Sequence, residues 1–493
     1  MTTDFDVCIV GWGPVGATLG ILLAQQGLSV CIFERENGIY PYPRATHFDG
    51  EAMRLFQTLG LADEILEDLR VHVGIRFLDA DQNLLLHWPR PQTMGSQAWF
   101  DSYRFHQPTL EAVLRRHFAS FANCRAMEGV NVFALDEQAD GVIVRYEEAA
   151  SFALAAVRCK YVVGSDGARS TVRRLMGSPV EELQRREQWL VVDLVCNGPV
   201  DLPDGTVQLC DPARPTTFAK CTGDRRRWEF MVMPGDDPAT MAGPETVWKL
   251  LAPWLRPDQA EIERSVVYTF YALLADGWRR GRMLVAGDAA HLMPPFLGQG
   301  LCSGLRDAAN LAWKLAAVIR GEAAPELLDS YESERSPHVK EYIDLAGTVG
   351  SIIQTTDPVA AAERNREMTA SPPVMKTIQP PLGPGLHGSR PAPAGILSAQ
   401  AMTAGGARLD DAVGYAFALV LGARLSAQLG ERLHQRLHDL GIVVVVRDDD
   451  PDSAMLIRPD RYILGIAGDA AELEVLLSEF LVRARSEGLV AVS

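Results

Sequence analysis

The sequence predicts an α/β protein in three parts: a parallel sheet grown from a dinucleotide-type βαβ unit, a mixed sheet set into it, and a smaller C-terminal α/β unit. Three observations carry this. The stretch Val7-Cys8-Ile9-Val10-Gly11-Trp12-Gly13-Pro14-Val15-Gly16 leads into an apolar helix and then Val30-Cys31-Ile32-Phe33-Glu34. From about 183 to 272, short alternating runs are separated by Pro, Gly and Asp. Past a segment with eight prolines between Pro358 and Pro393, strand-like and helix-like runs resume.

In chain order, Val7 to Val10 reads as a buried parallel strand. Gly11 permits the tight turn, Gly13 lets the backbone approach a pyrophosphate, and Gly16 lets helix and strand pack. The helix from about Pro14 to Gln26 aims its N–H groups at those phosphates. Glu34 ends the second strand, where a carboxylate accepts the adenosine ribose hydroxyls. An ordinary glycine-rich turn is the plainer alternative. Gly50 to Leu69 reads as helical, Gly74 to Trp88 as strands, and Gln107 to Phe121 as an amphipathic helix. Residues 130–165 alternate and end in a returning strand, Tyr161 to Gly164. The inserted sheet is expected from Trp189 to Val195, Thr206 to Cys210, Trp228 to Met233 and Ser265 to Tyr271. Residues 283–287 form another buried strand, followed by a helix from about Ser303 to Ile319. In the last unit, Ala416 to Val420, Ile442 to Val446 and Arg461 to Ile466 read as strands and Ala470 to Ala484 as a closing helix.

Composition bounds the function. The 493 residues suggest two or three domains, and 47% hydrophobic with 22% charged residues suits a soluble globular chain. A net charge of −16 argues against nucleic-acid partners and anionic membrane surfaces. No apolar stretch reaches the roughly 18 residues of a membrane span. The N-terminus enters a strand directly, with no basic leader and cleavage site, so a cytoplasmic location is expected. The eight cysteines show no C-x-x-C and no zinc-type spacing, so neither disulfide nor metal site is expected.

Two further stretches repeat the strand-to-ligand logic. Gly164-Ser165-Asp166-Gly167-Ala168-Arg169-Ser170 follows a strand and opens a helix. Gly287-Asp288-Ala289-Ala290-His291-Leu292-Met293-Pro294-Pro295 follows another. There a carboxylate suits a ribityl hydroxyl, and the loop Gly298-Gln299-Gly300 leads to a helix N-terminus that suits a flavin ring. Each alone fits a capped turn; their order and spacing together point to FAD.

At these residues the chain resembles the single-component flavoprotein aromatic hydroxylases, the para-hydroxybenzoate hydroxylase-like monooxygenases, over about residues 4–350. Within that group it is most similar to 3-(3-hydroxyphenyl)propionate hydroxylases. Tyr42-Pro43-Arg44-Ala45, Arg227-Trp228-Glu229-Phe230-Met231-Val232-Met233-Pro234-Gly235, and Gly298-Gln299-Gly300 through Asn310-Leu311-Ala312-Trp313-Lys314-Leu315 carry the likeness. The C-terminal part, with Leu456-Ile457-Arg458-Pro459-Asp460-Arg461-Tyr462, is similar to the thioredoxin-like domain of phenol hydroxylase relatives. It has no cysteine after Cys302, which leaves it packing or subunit contact rather than dithiol chemistry. The implied architecture is an α/β Rossmann-like FAD-binding domain (1–182 and 273–355) interleaved with a mixed-sheet substrate domain (183–272, joined by 74–100). A Pro-rich linker (356–397) and a thioredoxin-like domain (398–493) complete it.

The resemblance also implies roles. Gly11, Gly13, Gly16 and Glu34 hold adenosine and pyrophosphate; Gln107 contacts the flavin's phosphate side; Asp166 serves flavin and reduced nicotinamide; Asp288 binds ribitol. Pro295, Gly298, Gly300 and Leu301 border the ring, and Arg44 lies near flavin and donor, a solvated surface charge being its alternative. Cys302 stands where relatives often carry Asn. NADH or NADPH is the transient donor, with the nearest subgroup favouring NADH, and O2 is the co-substrate. The flavin C4a-hydroperoxide is the electrophile, and a base near the substrate hydroxyl makes the ring electron-rich. Asp49 is the first candidate base, equally readable as an N-cap of the following helix; His47 is the second, or a surface residue. Substrate walls are expected from Trp189, Phe230, Met231, Tyr271 and Phe296, whose bulk favours a single-ring phenol. The stretch Tyr268 to Leu273 lacks the Arg that the hydroxyphenylpropionate enzymes tend to show, which leaves a propionate tail open. The expected reaction is ortho hydroxylation of a phenol of the 3-(3-hydroxyphenyl)propionate type or a related monocycle. The alternatives are a polyketide-tailoring hydroxylase of a polycyclic phenol and a non-hydroxylating flavoprotein; the lysine and tryptophan motif of related halogenases is not found. No nucleic-acid, membrane or metal partner is expected, and a homodimer is one candidate assembly.

Overall fold

The computed structural model describes residues 3–183, 186–402, 406–447 and 452–486. The end of the expected C-terminal domain, 487–493, lies outside the described residues. An all-apolar strand is stable only where both faces are covered. Phe5–Val10 accordingly pairs in parallel with Val30–Phe33 on one side and Leu154–Gly164 on the other. The sheet continues outward through Met283–Val285 to Arg279–Arg280 and, past Val30–Phe33, to Cys124–Met127. The strands Gly141–Glu148 and Val130–Gln138 extend from Leu154–Gly164 as an antiparallel meander. Helix Pro14–Gln25 packs against the helices Gly300–Ile319 and Gln107–Ala119. Its glycines matter here: a Cβ on Gly16 would fall 2.1 Å from the Gly11 carbonyl oxygen.

A second sheet of seven strands runs in the order Ala260–Phe270, Glu187–Cys196, Arg225–Met231, Thr216–Lys220, Thr206–Leu209, Gly74–Leu78 and Leu84–Pro89. Side chains alternate across it with period two. Leu190, Val192, Trp228 and Phe230 go to one face, against Val247 and Leu251 of helix Pro244–Leu251. The opposite face looks toward the first sheet. Between the two lies a small three-stranded sheet: His47–Asp49 and Arg70–Val71 flank Ser102–Arg104. Neither His47–Asp49 nor Thr216–Lys220 is among the strands the sequence predicts.

The C-terminal sheet orders Val443–Arg447, Ala418–Gly422, Ala454–Ile457 and Ile463–Ala467, with one parallel pair and two antiparallel ones. Buried charge joins it to the rest. Arg458 donates to Glu334 at 2.7 and 2.8 Å, Lys314 donates to the same carboxylate at 2.7 Å, and Arg54 grips Asp410 at 2.6 Å.

Other boundaries shifted for local reasons. The helical run after Gly50 is two helices, Gly50–Thr58 and Ala62–Leu66, parted at Gly60 with φ +76°. The Pro-rich segment opens with a helix, Pro358–Ala370, whose N-cap Asp357 accepts from the Val359 and Ala360 N–H groups. Pro358 is there the first residue of a helix, a position that tolerates proline, rather than a breaker. Further on, the segment adds to a sheet edge: His87 donates to the Pro373 carbonyl at 3.1 Å and accepts from the Met375 N–H at 2.9 Å.

Candidate active site

Two adjoining cavities open between the sheets. The first is a narrow cleft of about 250 Å³ along the ends of Phe5–Val10 and Val30–Phe33. Gly11, at φ +103°, leaves no room for a side chain, because a Cβ would sit 2.5 Å from the Ser165 carbonyl oxygen. At Gly13 a Cβ would meet nothing within 4 Å, so that position is open to a ligand. The Glu34 carboxylate accepts from the Trp12 N–H at 2.8 Å and the Glu36 N–H at 3.0 Å, which shapes the cleft wall it also lines. Gln107 uses its side-chain carbonyl to hold the Arg44 and Ala45 N–H groups at 2.9 and 2.8 Å. Asp166 caps the helix Thr171–Met176 through the Thr171 and Val172 N–H groups at 2.6 and 3.2 Å while facing both cavities. Asp288 faces the space between the two, and the surrounding protein mass raises its carboxyl above the usual range. No hydrogen bond satisfies it among the described residues. A carboxylate exposed into this space with no protein partner fits a polyol hydroxyl, and the open position at Gly13 fits a diphosphate. The cleft therefore suits FAD. Gly16 packs behind it rather than lining it.

The second cavity is larger, about 750 Å³, and shares Arg44, Asp166, Asp288, Gly300 and Leu301 with the first. Pro295, Phe296 and Gly298 border it from the late loop. The sheet contributes Val191, Gln208, Thr217, Arg227 and Glu229. His47, His72, Arg90 and Arg104 stand on the remaining wall. Of the expected substrate contacts, Tyr271 and Phe296 face it. The other three do not. Phe230 is one residue out of phase with Arg227 and Glu229, so the pleat sends it to the opposite face. Trp189 is fully buried behind Phe296, ring centroids 5.7 Å apart, and Met231 lies with Trp189 in the apolar layer beyond. The walls are therefore smaller and more polar than the sequence reading supposed.

Asp49 lines neither cavity. Its carboxylate accepts from the Ala52 N–H at 3.0 Å, capping the helix, and pairs with Arg306 at 2.5 Å. Burial pushes its carboxyl up, but Arg306 and the capping N–H outweigh that and hold it below the usual range. A carboxylate so committed is a poor proton acceptor, and the capping alternative is what the geometry favours. Cys302 is buried beside Asp49 and Arg306, facing neither cavity. His47 does face the cavity. Burial among Arg104 and Arg90 pushes its imidazole down to about 3, and burial beside Arg104 and His47 likewise keeps His72 neutral.

These two imidazoles belong to a directed chain. Arg104 donates to His72 Nε2 at 3.1 Å, His72 Nδ1 reaches Ser102 Oγ at 3.1 Å, Ser102 meets His47 Nε2 at 2.7 Å, and His47 Nδ1 reaches the Gly298 carbonyl at 3.0 Å. Arginine only donates and a carbonyl only accepts, so the two ends dictate every proton position between them.

The sequence reading missed a second constellation. Asp193 lies directly across from Arg227 on one neighbouring strand and Arg264 on the other. It binds both, at 2.7 and 2.5 Å, and each guanidinium also donates to the Pro43 carbonyl, with Arg227 reaching Arg44 O at 2.8 Å. The sheet thus holds the loop that carries Arg44 over the cleft. The signal is present in Arg227 to Phe230, where charged and aromatic residues alternate.

A family model described as "FAD binding domain" matches residues 4–346. The chain is 36% identical to an enzyme named "Probable NADH-specific resorcinol 4-hydroxylase" of Rhodococcus jostii (strain RHA1), over 97% of this chain and 94% of that one. It is also 36% identical to a 3-(3-hydroxy-phenyl)propionate/3-hydroxycinnamic acid hydroxylase of Mycolicibacterium smegmatis, over 96% and 92%. Its fold matches the crystal structure of aklavinone-11 hydroxylase with FAD and aklavinone, TM-score 0.81 at 21% identity, over 98% of this chain and 100% of that one. The chain belongs to the FAD binding domain family, among its FAD-dependent aromatic hydroxylases.

Proposed function

We propose that the protein uses NADH and O2 to hydroxylate a monocyclic phenol of the 3-(3-hydroxyphenyl)propionate type, ortho to its hydroxyl. Phenol, O2, NADH and a proton become an aromatic diol, NAD⁺ and water. The observation that carries this is the substrate-sized cavity meeting the cofactor cleft at Arg44, Asp166 and Asp288, with Arg90 and Arg104 in its wall. Among the described residues neither arginine has a carboxylate within ion-pairing distance. Burial pushes each guanidinium down to about 10, a sign of uncompensated desolvation. Buried charge of this kind is met by an anion, and a carboxylate tail supplies one. The donor follows the relative from Rhodococcus jostii, named as an NADH-specific resorcinol 4-hydroxylase.

Gly11 and Gly13 would receive the pyrophosphate, Glu34 the ribose, Asp288 the ribityl chain, and Pro295 to Leu301 the ring. Bound FAD supplies hydride transfer from the donor and activation of oxygen. The chain's own part is to exclude water and to aim the substrate. Phe296, backed by Trp189, closes the apolar side. The directed chain from Arg104 to Gly298 fixes the opposite wall to the ring-side loop. We assign 1–182 with 273–355 to the FAD-binding domain, and 183–272 with 74–100 to the substrate domain. Residues 398–493 would be a thioredoxin-like domain without redox function, which the parallel-then-antiparallel strand pattern supports.

A polycyclic phenol is the second reading. The cavity volume favours it, as does the absence of Trp189, Phe230 and Met231 from the walls, and the aklavinone enzyme matches along the whole chain. Stopped-flow flavin reduction by NADH across a phenol panel tests both. 3-(3-Hydroxyphenyl)propionate should accelerate reduction and yield the ortho diol, with resorcinol much weaker. Response to a polycyclic phenol alone would replace the first reading with the second.

A further inference from the structure

Oxygen enters an aromatic ring when the neighbouring phenol surrenders its proton, because the oxyanion pushes electrons to the carbon under attack. The side chains placed to take that proton can be sorted by their existing commitments. Asp49 is paired with Arg306 away from the cavity. Asp166 caps a helix, and Asp288 stands at the seam, on the ribityl side. His47 and His72 have both ring nitrogens engaged in a chain fixed at each end. Glu229 remains.

Its strand, Arg225–Met231, turns Trp228 and Phe230 into the apolar layer, and Arg227 and Glu229 toward the cavity. Glu229's partners across the sheet, Val191 and Thr217, line the cavity on either side of it. Of the nearby guanidiniums that might neutralise it, Arg227 and Arg264 are already occupied by Asp193 and the Pro43 carbonyl, and Arg104 makes no ion pair with it. No hydrogen bond or ion pair reaches the Glu229 carboxylate among the described residues. A half-buried carboxylate that faces a cavity and has no protein donor is completed when a ligand supplies one.

We propose that Glu229 is the catalytic base that accepts the substrate's phenolic proton. This rests on the hydroxylase reading above. The phenolic O–H bond breaks, its electron pair stays on oxygen, and the proton joins a Glu229 carboxylate oxygen. Once the ortho carbon has gained its hydroxyl from the O2-derived oxidant, that carbon loses its hydrogen to solvent. Glu229 then returns its proton to the original oxygen, leaving a neutral diol and a free carboxylate. The charges facing Glu229 are Arg227 on its own strand, Asp193 on the adjacent strand, Arg264 on the strand beyond that, and Arg104 from the small sheet. Burial raises its carboxyl; Arg227, Arg104 and Arg264 pull it down while Asp193 pushes it up, and the net direction is upward, which strengthens it as a base.

The test compares wild type, Glu229→Gln and Glu229→Asp as FAD-loaded enzymes, across phenols whose acidity is graded by ring fluorination. Flavin content and melting temperature are read beside NADH oxidation and product. Glu229→Gln should keep its flavin and lose at least about 10²-fold in product from the parent phenol. The loss should shrink progressively with fluorinated phenols that are already ionised in the assay, and Glu229→Asp should recover part of the rate. A loss equal for every phenol, or none, overturns the assignment, as does an Asp variant no better than Gln. If no phenol accelerates NADH oxidation by the wild type, the hydroxylase reading falls, and the base assignment with it. A responsive wild type matched by Glu229→Gln overturns the base assignment alone.

Discussion

His47 and Gly298, 251 residues apart in the chain, are joined by a 3.0 Å hydrogen bond from the imidazole Nδ1 to the backbone carbonyl. The bond ties the small central sheet to the loop expected beside the flavin ring. His47→Ala would leave the Gly298 carbonyl without its donor and the Ser102 O–H without its acceptor, although Ser102 keeps His72, a cost of about 1–3 kcal/mol. The variant should hold FAD but divert more NADH to hydrogen peroxide. The peroxide-to-product ratio and a thermal melt check it; an unchanged ratio would remove the loop from the coupling machinery.

The same imidazole has a pH signature. Its folded value of about 3 lies below the ordinary histidine value, so between the two the unfolded chain binds the extra proton. Stability should therefore rise with pH from about 3 to about 6.5. Urea unfolding across that window should give a shallower rise for His47→Ala, and identical slopes would contradict it.

Asp49→Ala tests stability more than chemistry. It removes a helix cap worth about 1 kcal/mol and leaves the Arg306 guanidinium without one of its two carboxylates, the kind of loss that costs about 3–5 kcal/mol when the charge is buried. Arg306 keeps Glu51 at 2.5 Å, so the lower end is expected. A large fall in melting temperature is the predicted result. A stable, flavin-bound variant unable to hydroxylate would restore Asp49 as a base.

Gly11 and Gly13 should respond differently. Gly11→Ala drives a Cβ against the Ser165 carbonyl from a left-handed backbone and should compromise folding. Gly13→Ala meets no protein atom and should fold normally, yet bind FAD at least about tenfold more weakly, about 1.4 kcal/mol. Equal FAD affinity in Gly13→Ala would move the phosphates elsewhere.

Glu334 accepts from Arg458, Lys314, Asn310 and the Leu386 N–H with no solvent contact. Glu334→Gln should cost about 3–5 kcal/mol and lower the urea midpoint. Burial opposes its ionisation, but Arg458 and Lys314 prevail and hold its carboxyl far below the usual range. Its contribution is therefore present above the ordinary glutamate value and fades as the pH falls toward the folded one. A midpoint within error of wild type would contradict the claim.

The cofactor end was legible because its chemistry is local. Turn, glycine and helix start within a few residues of each other, as at Gly11 to Gly16 and Asp166 to Ser170, so spacing alone exposes them. The substrate side was not, because there the decisive fact is which face of a strand a residue takes. Phe230 was chosen for its bulk, yet the pleat turns it away and presents Arg227 and Glu229. Asp49 stood evenly between cap and base in the sequence, since its partner Arg306 lies far along the chain and no local pattern reveals it. The arginine pair around Asp193 escaped notice for the same reason: three strands must be aligned before the cluster exists. Pro358 misled because a helix start and a breaker look alike in sequence.

The stretch around Val374 lies along Leu84–Pro89, the last strand of the cavity's sheet. That strand would otherwise offer a bare row of amides to any neighbour, and Pro372 and Pro373, which lack an N–H, are poor templates for a further strand. Covering that border discourages copies of the chain from stacking sheet to sheet. Excising the stretch should show first as turbidity at high protein concentration, before any change in flavin content.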